Sequence, residues 1–144
     1  MGTDPLLHEK LTESIIGGFY KVYNTHGFGF LESPYANSMD IELTKRGHRV
    51  AREVPIVIPY DGIPVGLYKC DMIVNDSVII EVKAGPILDP SAKRQLFNYL
   101  KAAGKSVGLL LHFGPEPKFY RQVCTPENNA RLKDPQDLQN QQDP

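Results

Sequence analysis

Near residue 50 the hydrophobic period of this chain changes from the helical spacing of about 3.6 to the strand spacing of about two, and that order limits the architectures open to it. Leu7, Leu11, Ile15, Phe19 and Val22 recur at helical intervals and predict an amphipathic helix over residues 5–25, despite Gly17 and Gly18. Gly27 and Gly29 break it. A second helix is expected from Leu31 to Arg46, with Tyr35, Met39 and Leu43 on one stripe, Pro34 tolerated in the first turn and Gly47 as the stop. Beyond this point Val50–Ile58, Val65–Val74 and Val78–Lys83 read as strands, parted by Tyr60-Asp61-Gly62 and Asn75-Asp76-Ser77. Asp89-Pro90 supplies an N-cap and a first-turn proline for a helix that ends at Gly104. Val107–Phe113 is apolar enough to be buried on both faces, and Lys118–Val123 reads as an edge strand. Two helices, three meandering strands, a crossover helix and two more strands make an α/β sandwich with a mixed sheet.

The 144 residues, 41% hydrophobic and 23% charged, suit one soluble domain that needs no disulfide or structural metal to build a core. Cys70 and Cys124 form no CxxC pair, so a zinc ribbon is not expected, and a reducing cytoplasm is the expected location. No apolar run approaches the ~20 residues needed to span a bilayer, so no membrane partner is expected. The polar stretch 125–144 holds four acids and two bases and too few aliphatic residues to offset its ordering entropy. It is expected to be a disordered or loosely docked tail behind a folded domain of residues 1–124. The net charge of −1 argues against binding nucleic acid by bulk electrostatics, but without the tail the balance is +1, and metal binding by some of the acids would make it more positive. The four histidines lack ligand spacing, and there is no P-loop or dinucleotide fingerprint.

The chemistry is concentrated where charges interrupt strands. In Ser77-Val-Ile-Ile-Glu-Val-Lys-Ala84, Glu81 and Lys83 share a face with Ile79, and in Leu67-Tyr-Lys-Cys-Asp-Met-Ile-Val74 an acid again stands among apolar residues. A two-residue turn would set Asp71 opposite Ile80. A three-residue turn at Asn75-Asp76-Ser77 sets it opposite Glu81, and that register is expected. Two carboxylates can give oxygen ligands to Mg²⁺, while an ammonium orients water or neutralises phosphate charge. Taken alone, the Asp-x(9)-Glu-x-Lys spacing better describes a surface hairpin with a cross-strand ion pair. Glu32 stands in the first turn of the second helix, where an acid also complements the helix dipole. Gln95 and Tyr99 share one face of the third helix, and Lys93, Arg94, Lys101 and Lys105 add a basic surface that could track a phosphate backbone.

Gly29-Phe-Leu-Glu32-Ser-Pro-Tyr35 matches the GxxExxY signature, and the order Asp71, Glu81-Val-Lys83, Gln95-x-x-x-Tyr99 resembles the PD-(D/E)XK nuclease superfamily, over about Leu7 to Gly114. The resemblance implies a three-layer restriction-endonuclease-like core, a mixed central sheet flanked by helices. It implies a metal-dependent nuclease acting on DNA or RNA, with DNA as the expected partner. Asp71 and Glu81 would be the metal ligands, with Glu32 as the helical acid that assists them, and Lys83 the catalytic lysine. Gln95 and Tyr99, together with Lys93 and Arg94 on the same helix, would meet substrate, and Tyr35 would support the site. Mg²⁺ is the implied cofactor, with Mn²⁺ as a substitute. Cys70 stands where the signature has Pro and is expected to point away from Asp71. A homodimer is the arrangement by which such a domain would cut two strands. The alternative is a nucleic-acid-binding or protein-assembly module that keeps the fold without the catalysis.

Overall fold

The computed structural model describes residues 8–125. The predicted first turn of the opening helix and the polar tail from residue 126 lie outside the described residues. Two helices come first, α1 (Glu9–His26) and α2 (Glu32–Lys45), followed by strands β1 (Val50–Tyr60), β2 (Ile63–Val74) and β3 (Val78–Ala84). Helix α3 (Ala92–Ala103) then crosses to β4 (Val107–Phe113), and β5 (Pro117–Val123) closes the order. The five strands form one sheet in sequence order, antiparallel except between β3 and β4, which the α3 crossover makes parallel. No helix among the described residues is long and apolar enough to cross a membrane.

The sheet separates two cores. Val78, Ile80, Val82, Leu109 and Leu111 face α1 and α2, whereas Ile79 and Leu110 face Leu96, Tyr99 and Leu100 of α3. Every residue of β4 is buried, as its uninterrupted apolar run requires of a strand covered on both sides. Phe113 joins the first core by stacking on Tyr35 at 4.1 Å and meeting Phe19 edge-on at 4.9 Å, contacts worth about 0.5–1.5 kcal/mol each beyond their area. Gly17 and Gly18 survive inside α1 because α2 passes close by. A Cβ at Gly17 would stand 3.0 Å from Arg46 Nη1, and one at Gly18 would stand 3.3 Å from Glu42 Cγ.

Two elements differ from expectation. Helix α3 begins at Ala92 and not at Pro90. The Asp89 carboxylate accepts bonds from the Ser91 N–H and hydroxyl at 2.9 and 2.8 Å, so it builds a local turn ahead of the helix. The β1–β2 hairpin is also longer than predicted, since pairing runs on to Tyr60 and Ile63 around Asp61-Gly62. Only three residue pairs join β2 to β3, the last being Met72 with Ile80. The outer half of the hairpin therefore extends beyond β3.

Pleat alternation reverses in the middle of that hairpin. Arg52 reaches Asp40 and Asn37 of α2, and Met72 opposite it belongs to the α1/α2 core. Two residues away along each strand, Val54 and Cys70 belong to the α3 side. Between them Glu53 has φ 48°, a left-handed conformation that turns the strand over. Cys70 thus lies on the α3 side with Ile73, contrary to the simple period-two expectation.

Candidate active site

The strand divergence and the acid pair occur at the same place. The β2–β3 ladder ends at Met72 and Ile80, and its register carries on to set Asp71 opposite Glu81, as the three-residue turn predicts. Where ladder bonds cease, backbone N–H groups need other acceptors. The Asp71 N–H donates to Glu81 Oε2 at 2.8 Å, and the Val82 N–H donates to Asp71 Oδ2 at 2.6 Å. Each carboxylate thus takes over one backbone donor of the opposing strand and keeps its second oxygen free of a protein donor among the described residues.

Glu81 is only 5% exposed. Burial, and after it the neighbouring Asp71 charge, push its carboxyl up to about 8, although the Asp71 N–H and the Lys83 ammonium pull the other way. Glu32 adds a smaller repulsion, which places it within electrostatic range at the exposed start of α2. Among the described residues no group of three acidic, His or Cys side chains is gathered closely enough to hold a metal ion by itself. Asp71 and Glu81 therefore stand as a pair, without Glu32 beside them. The pair still fits a hard cation, because its two free oxygens are the donors Mg²⁺ prefers and Mg²⁺ usually keeps several water or phosphate ligands.

The remaining predicted residues divide. Lys83 is half-buried on the face of Glu81 and forms no ion pair among the described residues. Tyr99 is buried in the α3-side core with Ile79 and Cys70, and burial followed by the charge of Glu81 raises its phenol, with Asp71 contributing to the same shift. Gln95 and Arg94 line a cleft of about 910 Å³ between α3 and the outer hairpin. Lys93 does not join them, since its ammonium lies 3.9 Å over the Tyr120 ring on the β5 side. Lys105 is also turned away, bonded to Asp76 at the β2–β3 turn. The basic surface expected of α3 is thereby reduced, in the cleft, to Arg94 and Lys101.

The GxxExxY residues acquire a mechanical meaning. Tyr35 is fully buried; its hydroxyl donates to the Gly27 carbonyl and accepts from the Phe30 N–H at 3.3 Å. It clamps the loop that delivers Glu32, and Gly29 at φ 126° permits the bend. Two contributors were not legible in sequence. His112 pairs with Lys83 across β3 and β4, and its Nε2–H donates to the Gly85 carbonyl at 2.9 Å, holding the chain just after Lys83. Tyr68 forms part of the cleft wall and meets Tyr99 at a ring separation of 6.0 Å. Neither has a motif spacing that would have singled it out.

A family model described as the PD-(D/E)XK nuclease superfamily matches residues 9–123, the whole sheet and its helices. No curated protein matches. Among solved structures, SSO0001 is similar at 20% identity and a TM-score of 0.47, over 81% of this chain and 58% of that one. The alkaline exonuclease LHK-Exo from Laribacter hongkongensis is similar at 16% identity and a TM-score of 0.48, over 68% of this chain and 57% of that one. The chain thus spans a little over half the length of these structures. With a mixed five-stranded sheet between helices, two carboxylates at a strand divergence and a lysine two residues beyond the second, the chain has the restriction-endonuclease-like fold and belongs to the PD-(D/E)XK nuclease superfamily.

Proposed function

We propose that this protein is a divalent-metal-dependent nuclease that hydrolyses phosphodiester bonds, with DNA as the expected substrate and GxxExxY proteins as its nearer kin. The observation that carries the reading is the Asp71–Glu81 pair, two adjacent carboxylates bonded to each other's strands, of which Glu81 is pushed up to about 8 by burial and then by the charge of Asp71. Mg²⁺, or Mn²⁺ in its place, would be held by the free oxygens of Asp71 and Glu81, with the Val82 carbonyl assisting and Glu32 contributing negative charge from the start of α2 without standing beside the pair. When bound, such an ion supplies positive charge against the scissile phosphate and makes water a better nucleophile at neutral pH.

The chain's own groups do the rest. Lys83, free of any carboxylate partner within ion-pair distance, offers its ammonium to the phosphate charge that builds during in-line attack. Its location is kept by the His112 bond to Gly85. Gln95 and Tyr99 would meet substrate from the α3 side, in the cleft they line together, and Arg94 in the same cleft would supply a cation for the substrate backbone. Lys93, over the Tyr120 ring, would reach substrate only on the far side of α3. The two free cysteines suit a protein working in a reducing cytoplasm, and a second copy would supply the second cut in a duplex.

The test is cleavage of labelled single-stranded, duplex and branched DNA and of RNA in Mg²⁺, Mn²⁺ or EDTA. Metal-dependent cutting lost in both Glu81→Gln and Lys83→Ala is the expected result. Nucleic-acid binding without cutting by folded, metal-loaded wild type would favour the non-catalytic binding module.

A further inference from the structure

The cleft that Tyr99 lines does not contain the two carboxylates themselves, and Tyr68, Asn98 and Lys101 within it have no part in the chemistry proposed above. Its α3 side carries Arg94, Asn98 and Lys101 at i, i+4 and i+7, one face of the helix, so the backbones of the two basic residues are about 10 Å apart along the axis. Neither cation has a carboxylate within ion-pair distance among the described residues. The opposite side is the outer part of the hairpin, where Tyr68 is 52% exposed. Its ring meets that of Tyr99 at a centroid separation of 6.0 Å and an angle of 41°, and on its own strand β2 it stands three residues from Asp71. The neighbour on the same strand face is Gly66, where a Cβ would stand 3.6 Å from Tyr68 Cε2. A side chain there would lie against the ring at Cε2, and glycine leaves that contact unmade.

A half-exposed aromatic ring in a concave, cation-flanked cleft suits a flat π-surface attached to phosphates. Bases in a duplex offer only their edges, because their faces are stacked on one another. Unpaired bases offer their faces, and they stack on protein aromatics with little regard to sequence. We propose that Tyr68 is a stacking platform for an unpaired base next to the scissile phosphate, with Arg94 and Lys101 on the flanking phosphates, so that this site selects single-stranded nucleic acid. The inference rests on the nuclease reading above and adds the substrate class to it.

The chain contains no tryptophan, so Tyr68→Trp puts a single indole in the cleft. The experiment measures binding of short single-stranded DNA, the matching RNA and a blunt duplex by fluorescence anisotropy in Ca²⁺, beside cleavage in Mg²⁺. Wild type is expected to prefer the single strands, and the DNA and RNA arms say which sugar it accepts. Tyr68→Ala and Tyr68→Leu should lose about tenfold in single-strand affinity with duplex binding unchanged. Tyr68→Leu retains an apolar contact to Tyr99 should the alanine variant fold poorly. Tyr68→Trp should keep the affinity, with indole emission quenched by single strands and not by duplex. Wild-type single-strand affinity in the alanine and leucine variants, or an equal loss on duplex, would overturn the inference while leaving wild-type cleavage, and hence the nuclease reading, intact. A folded, metal-loaded wild type that neither binds nor cuts any of these substrates would overturn both.

Discussion

Replacing Glu81 by Gln should make the metal-free protein more stable at neutral pH while removing the chemistry. The Glu81 carboxyl is pushed up to about 8 in the fold, against 4.5 when exposed, chiefly by burial and then by Asp71. That difference is worth about 5 kcal/mol between the protonated and charged forms. In the folded state the group keeps its proton through the interval in which the unfolded chain releases it, so the unfolded state binds fewer protons and stability falls with rising pH. Stability is therefore greatest below about pH 4.5, declines towards pH 8 and then levels off, as far as this group decides. At pH 7 the cost already incurred is about 3 kcal/mol, which Gln escapes because it has no proton to lose and its carbonyl oxygen can still accept the Asp71 N–H. For a domain of this size that corresponds to roughly 10 °C in Tm. Thermal melts of both proteins in EDTA from pH 5 to 9 test it. The two curves should approach each other near pH 5 and separate as pH rises, with the variant above. Addition of Mg²⁺ should raise the wild-type Tm and not that of the variant, since a ligand bound only by the native state stabilises by mass action. A variant less stable than wild type at pH 7.5, or a gap that does not change with pH, would refute the argument that burial and Asp71 raise the Glu81 carboxyl.

Tyr35→Phe removes the hydroxyl that ties Gly27 to Phe30 and should cost about 1–3 kcal/mol in chemical denaturation while slowing cleavage, although it touches neither carboxylate; unaltered stability and rate would show the clamp to be idle. Gly108→Ala would put a Cβ 2.8 Å from Leu96 Cδ1, where α3 lies on β4, and should cost about 1–3 kcal/mol in the same assay, so a neutral result would mean that the helix shifts freely. Burial and the nearby Glu81 charge push the Cys70 thiol up to about 12, so it should resist a disulfide reagent at pH 8 until the protein is denatured. Native-state labelling at the rate of a free thiol would contradict its place under α3.

The location of the acid pair was legible because three constraints coincide in the local chain. Asn75-Asp76-Ser77 is a three-residue turn, period two orders the faces on either side, and a charge inside an apolar strand is costly enough to require a purpose. The same arithmetic was wrong for Cys70, since alternation assumes an unbroken pleat and Glu53, in the facing strand, is left-handed. It also overstated the basic face of α3. Helical spacing shows which side chains are neighbours, but it does not show that Tyr120 lies under Lys93 or that Asp76 lies within reach of Lys105.

By itself the sequence determined the order of elements, the wholly buried β4, the register of β2 on β3 and the identity of the charged residues at its end, because each follows from periodicity, turn chemistry and the cost of burying charge. Only the tertiary structure decided that the ladder stops at Met72 and Ile80, that the two carboxylates take over the vacated backbone donors, and that Glu32 stands apart from them. It alone brought the outer hairpin across α3 to form the cleft in which Tyr68 is half-exposed. The reason is the distance over which each effect acts: strand and helix periods are local, whereas the divergence of two strands and the meeting of a hairpin with a helix depend on how whole elements pack.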